Sequence, residues 1–561
     1  MWSRDLPRIR YVSRFYNWDM FRPILAAVAT IAMTVSGLAQ DSQASFQAIY
    51  AALDAAISAK DQDALNRLIA AEAQIHVGPV KLSLRGLMAG EMVKAGLSRR
   101  SNVRSVHVEG DSARVVADIL YIVESGGKKQ ESRIIARDTW ERNGSGWICR
   151  ESEQTEGESM VPPTSAAEAK PVIEELKRRA VRLATVEPPA AERDGEFDDL
   201  EAFGTAIGGA RIVALGEATH GTKEFFLLKE RLIEYLVRRK GFSVVAFEMN
   251  WVNAEELDRY VKTQDAPRPR LGFDDLTDWM RSENRAGARL SLTGFDMQGA
   301  GPAADLVIRY LSRVSPSAAA ASSQAYAEAR KLDQDHTNVY LAAAAEAARR
   351  AESVLTQFDT NKLEWVAKSS PAEWRDARHA AQTAVDSAAM RIDGNGPTYR
   401  DRAMARNVEW LADEKYPGQK LILWAHNGHV VSDGDQMGGW LRKRFGAAYY
   451  AVGTAYRRGE IWAYGVEGNQ NRGIGAWPVA PAPEGSGDAV LSGAGSPLFF
   501  LDVRSVPPDG PLGGWLAARH RFNLASGVVL IGKENMVTSV VRDAYDGLMF
   551  VEESHAGRPS R

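Results

Sequence analysis

Cysteine is nearly missing from this 561-residue chain: Cys149 stands alone. That excludes an intramolecular disulfide, a cysteine-rich zinc site and a CxxC redox pair. A surplus of one charge sign is missing too. With 69 Lys and Arg against 72 Asp and Glu, the net charge of −3 offers nucleic acid nothing to hold. Past the first forty residues there is no long apolar run either. Within them, Ile24–Val35 has signal-peptide length, follows Arg22 and leads to Gly37-Leu38-Ala39, a small-x-small cleavage pattern. The run is short for a bilayer span, so the expectation is export to the periplasm or medium, removal of residues 1–39 and no stable membrane span afterwards, with an uncleaved anchor as the alternative. Met20-Phe21-Arg22-Pro23 also reads as a conventional signal start, in which case residues 1–19 are an over-long start.

Familiar catalytic signatures are absent as well. The chain has no GxSxG elbow and no HExxH pair, which removes the elbow-type serine hydrolases and the zincins. Gly527–Lys533 matches the GxxxxGK of a phosphate loop, but Glu534 stands where Ser or Thr must hold Mg²⁺, and Val528–Ile531 reads as a strand.

What is present suggests two domains, since a chain this long exceeds one hydrophobic core. Ala44–Asp61 repeats apolar residues at helical spacing, and Leu65–Ala71 reads as a second short helix. Another helix is expected after Gly86. Strands are expected at Val103–Glu109, Ala113–Glu124, Glu131–Asn143 and Trp147–Glu151. This order, with DQDALNRLIA ahead of an RG-led helix and SARVVADILY, resembles the cone-shaped α+β domain of the nuclear transport factor 2 type over residues 42–156. Gly157–Pro171, rich in Pro, Ser, Ala and Glu, reads as the linker, and residues 172–555 as the second domain.

In that second domain Arg211–Leu215 is a β-branched apolar run, and helical spacing begins at Thr222. Phe242–Phe247, Ser291–Phe295 and Lys420–Ala425 are further buried strands, which makes an α/β domain with a mostly parallel sheet. Each strand ends in chemistry. Glu217 and His220 follow the first, Glu248 the second, Asp296 the third, and His426 and His429 the fourth. The carboxyl ends of parallel strands are where such sheets bind ligands. Imidazoles accept protons near neutrality and carboxylates fix their tautomer, so the set suits activation of water. The same three histidines and their carboxylates also suit zinc or manganese with an open position for water, which leaves metal dependence open. Asp296 reads equally well as a cap for the loop behind it, and Arg400, Asp401, Arg402, Trp279 and Arg281 read as solvated or packing residues.

Between the third and fourth strands, Ala303 to Tyr416 is almost continuously helical, broken at Pro316, Pro371 and Gly394–Pro397. Ala448–Gly453, Glu460–Val466, Leu498–Val503 and Val528–Ile531 are later strands. Gly468–Ser496 reads as one long loop, of the kind usually functional or mobile.

GEATHGTKEFF, VVAFEMNW, TGFDMQ, RDRAMARNVEWL and WAHNGHV, in this order, resemble the erythromycin esterase family from about Glu174 to Glu553. The resemblance implies a three-layer αβα sandwich with a helical lobe, hydrolysing an ester or lactone. It implies His220 as general base with Glu217, a catalytic Glu248, and His426 and His429 binding and polarising substrate or a metal. Family members often carry arginine where this chain has Lys229. An ammonium does not reproduce arginine's fork, and Lys229 is carried forward with Asp296 as a substrate-binding candidate. The natural substrate need not be a macrolide. Two other readings stay alongside: a metal-dependent hydrolase of amides or envelope components, and a non-catalytic exported binding protein. Oligomeric state is not legible.

Overall fold

The computed structural model describes residues 43–557 apart from 78–79, 85–96, 126–127, 145, 157–160, 190–194, 270–271, 334–342, 393–395, 468–469, 524–526 and 533. The export segment and the helix expected after Gly86 lie outside the described residues. The described chain divides into two compact units, one holding Pro163–Gly465 and the residues from Gly473 on, the other the residues up to Pro162 together with Val466–Arg472.

The smaller unit is α+β. Gln43–Ala59 is a helix whose stripe of Phe46, Ile49, Tyr50, Leu53 and Ile57 is buried against the inner face of a six-stranded sheet. Four antiparallel strands, Leu97–Glu109, Ser112–Ser125, Lys128–Asn143 and Gly146–Glu156, make most of that sheet. The second helix ends earlier than expected, at Leu68. Ile69–Val77 is a strand, which pairs parallel with Gly146–Glu156 and antiparallel with Val80–Ser83. Ile69-Ala70-Ala71 continues the helical spacing, so only sheet pairing shows the change.

In the larger unit seven strands are labelled β1 Ile212–Leu215, β2 Val244–Asn250, β3 Ser291–Asp296, β4 Leu421–Trp424, β5 Tyr449–Glu467, β6 Leu498–Asp502 and β7 Gly547–Ser554. Their spatial order is β3-β2-β4-β1-β5-β7-β6, with Val181–Arg182 beyond β6. Pairing is parallel from β3 through β7, while β6 runs antiparallel to β7. Alternate residues serve opposite cores. Ile212, Ala214, Leu421 and Leu423 join the helical lobe on one face, and Val213, Leu215, Ile422 and Trp424 join the other. Burial on both faces explains why these strands are unbroken apolar runs.

The helical lobe follows the sequence reading, with Pro316 and Pro371 opening new helices, where the missing N–H costs nothing. Three expectations fail. Ser165 and Glu168 form a capping box, so Ala166–Arg179 is a helix and the linker cannot reach Pro171. Ala448–Gly453 and Glu460–Val466 are one strand, β5. The supposed long loop contains a strand, Gln470–Val479, paired to β5, and a helix, Gly487–Ser492. Cross-strand pairing stabilises a glycine-rich arm whose composition reads as irregular.

Candidate active site

β1 ends at Leu215, and the turn Gly216–Thr222 leads into helix α1, Lys223–Lys240. Close approach sets the residue type here: a Cβ on Gly216 would lie 2.4 Å from Asn427 Oδ1, and one on Gly221 would lie 1.8 Å from Trp462 O. Glu217, 3% exposed, sits at the centre of the turn. Its Oε1 meets His220 Nδ1 at 2.7 Å, and its Oε2 accepts from Lys229 Nζ at 2.8 Å and Trp424 Nε1 at 3.0 Å. Burial alone would raise the Glu217 pKa, but Lys229 and the His220 hydrogen bond outweigh it and hold the carboxyl below the usual range. An ionised Glu217 accepts the hydrogen bond from His220 Nδ1–H, which leaves the ring's lone pair on Nε2.

His426 ends the loop after β4 and caps helix α2, Asn427–Val430; its Nδ1 accepts from Gly428 N at 3.1 Å. Burial, then the neighbouring His220, push its pKa well below the ordinary value. The ring is therefore neutral with its proton on Nε2, and its centroid lies 5.0 Å from that of His220. Of the three histidines, only His220 is appreciably open, with 21% of its side chain exposed. His426 and His429 lie behind it at 0% and 2%.

Glu248 lies inside β2, which runs on to Asn250 rather than stopping at Phe247. Its Oε2 accepts from His426 N at 2.9 Å. Its Oε1 accepts from Arg400 Nη2 at 2.8 Å and lies 3.2 Å from His429 Nε2. Burial opposes the charge, yet His429 and Arg400 hold the Glu248 pKa well below the carboxylate range. His429 Nδ1 contacts Asp401 Oδ1 at 2.8 Å. Burial disfavours the imidazolium, but Glu248 and Asp401 flank the ring and raise its pKa well above the ordinary value. Arg400 Nη1 also lies 3.1 Å from His429 Nε2, a hydrogen bond only if that nitrogen is unprotonated. With a carboxylate on each side the protonated ring is favoured, and Nε2–H donates to Glu248.

Asp296 and Lys229, expected at the substrate, are both buried and paired inside the protein. Asp296 is 2% exposed; its Oδ1 accepts from Met297 N at 2.7 Å, and its Oδ2 from Arg400 Nη2 at 2.9 Å. Lys229 is 1% exposed and donates to Glu217 and, at 3.0 Å, to the Ala425 carbonyl. Both charges are used up inside the protein.

Arg400 and Asp401, read as solvated or packing residues, stand in the cluster instead. They lie on the helix Gly396–Trp410, with the Arg400 side chain 12% exposed and Asp401 fully buried. The available signal was RDRAMARNV, which places Asp401, Met404 and Val408 on one stripe; all three are fully buried, so an acid in that stripe needed a partner. Arg281 does pack, over the Tyr260 ring at 4.1 Å, and Trp279 faces Arg238 at 5.6 Å.

A divalent metal does not fit. Among the described residues no three His, Cys, Asp or Glu are arranged as metal donors. Glu248 and Asp296 converge on the Arg400 guanidinium, so a cation belonging to the chain fills the place a metal would take.

YbfO of Bacillus subtilis (strain 168) is 26% identical over 406 residues, covering 63% of this chain and 86% of that protein. Erythromycin esterase type II of Escherichia coli is 26% identical over 363 residues, covering 56% and 86%. Among solved structures, a Bacillus cereus protein superposes with a TM-score of 0.61 at 23% identity, covering 70% of this chain and 99% of that one. Erythromycin esterase EreC in its open conformation gives 0.54 at 17%, covering 67% and 98%. These two show the fold. The family model for erythromycin esterase matches residues 237–554, beginning after the Glu217–His220 turn and taking in Glu248, Asp296, Arg400, His426 and His429. With more than half its length inside that model, the chain belongs to the erythromycin esterase family, a family of hydrolases.

Proposed function

We propose that the protein hydrolyses a carboxylic ester or lactone of a small molecule, with His220 as general base. The observation that carries this reading is the Glu217–His220 pair at 2.7 Å, with His220 the exposed member of the histidine group. His220 Nε2 takes a proton from water as the water oxygen attacks the carbonyl carbon. Glu217 keeps the ring in the right tautomer and stabilises the imidazolium that forms. His426, neutral and fully buried, backs the base from inside, its ring centroid 5.0 Å from that of His220. Collapse breaks the C–O bond, and the proton on His220 passes to the leaving alkoxide.

Export, read from Ile24–Val35, would have the protein meet its substrate outside the cytoplasm. Among the described residues no helix is long and apolar enough to cross a membrane. The decisive experiment screens purified protein against esters and lactones beside His220→Ala. Turnover should fall by roughly 10²–10⁴-fold in the variant. Equal turnover in both proteins would leave the binding-protein reading standing.

A further inference from the structure

We infer that His429 does not meet substrate: Asp401, His429 and Glu248 form a buried chain of charge that fixes His426 beside His220, with Asp401 as its positioning residue. The inference rests on the proposed esterase reading only for the role given to His220. Both ring nitrogens of His429 are already used, Nδ1 on Asp401 at 2.8 Å and Nε2 toward Glu248 at 3.2 Å. None of the three side chains is more than 7% exposed. Glu248 carries the chain onward, its other oxygen accepting the His426 backbone N–H at 2.9 Å. At the far end Asp401 Oδ1 also accepts from Met437 N at 2.9 Å, which ties the chain to the start of the helix Met437–Phe445. A continuous run of hydrogen bonds thus joins that helix to the loop holding His426, whose ring lies 5.0 Å from His220. Charge-assisted bonds of this kind are about twice as strong as neutral ones and fix direction as well as distance.

The charged groups facing His429 are Asp401 and Arg400 from one helix and Glu248 from β2, with the His426 ring 6.5 Å away on its own segment. Two carboxylates against one guanidinium favour the imidazolium. Removing the Asp401 charge removes half of that support. Loss of the His429 proton would then free the ring from Glu248, and His426 would lose its fixed place without any substrate contact being broken.

The test uses the full chain and Asp401→Asn, with Asp401→Glu as the conservative variant and His429→Gln to assign the ring signal. In ¹⁵N NMR the wild-type His429 ring should still be protonated at a pH where a free imidazole has lost its proton, and in Asp401→Asn it should titrate at lower pH. For ester turnover, the alkaline limb of kcat should move down by about one pH unit in Asp401→Asn, with KM within about twofold, and Asp401→Glu should restore much of it. A neutral wild-type ring at that pH, an unmoved limb, or a KM raised tenfold with kcat intact would overturn the inference. The ring signal decides even if no ester is turned over, which would count against the esterase reading alone. It also decides from wild type if Asp401→Asn fails to fold.

Discussion

Lys229 is an ammonium shut away from water, with Glu217 and the Ala425 carbonyl as its hydrogen-bond acceptors and the Trp424 ring 4.8 Å beneath it. Burial by itself pulls its pKa down while Glu217 pulls it up, and the net direction is downward. The shift of Glu217 points the other way, toward a stabilised charge. His220, Lys229 and Trp424 all converge on Glu217, and only a carboxylate accepts from all three, which favours the ionised pair. Removing one member of a buried pair strands the other, at a cost of about 3–5 kcal/mol. Lys229→Met should therefore lower stability by that order in urea unfolding and lower kcat as well, because Glu217 loses its anchor. Lys229→Met combined with Glu217→Gln should cost less stability than the two single changes added together.

At the scale of elements, the turn between β1 and α1 is pinned from two sides. Trp462 N donates to the Gly221 carbonyl at 2.8 Å, and the Gly557 N–H reaches the same oxygen at 3.0 Å from the end of the described chain. Lys223 N donates to the His555 carbonyl at 2.9 Å, and His555 Nδ1 meets Glu224 at 2.7 Å. Gly221 adjoins His220, and a methyl group there would run into the Trp462 carbonyl. Gly221→Ala should displace the turn and cut turnover by roughly 10²-fold, since small misplacements of a base are costly. Circular dichroism should show the fold retained. A variant with wild-type turnover would mean that the turn is not held by Trp462.

For the whole molecule, pH acts through charges buried in opposite senses. The Glu248 pKa is depressed, so its contribution is present above its unfolded value of about 4.3 and is lost as pH falls through the folded value. The His429 pKa is raised, so its contribution is complete below about 6.5 and is lost as pH rises through the folded value. Thermal stability should be greatest between about pH 4.5 and 6.5 and decline on both sides. The alkaline decline should flatten in His429→Gln, and melting curves across pH check both statements.

The apolar runs at Ile212–Leu215, Val244–Phe247 and Leu421–Trp424 were legible as buried parallel strands, because both faces of each are covered and nearly every position must be apolar. An acid or histidine after each run was legible for the same reason, as the first polar residue past the apolar run. Sequence could not assign depth. Lys229 and Asp296 read as substrate contacts but are spent on Glu217 and Arg400, while Arg400 and Asp401 read as solvated or packing residues and are central. Whether a charge faces water or a partner depends on which distant element packs over it. Only the fold brings the helix Gly396–Trp410 against β2 and β3 and puts a guanidinium where sequence left room for a metal.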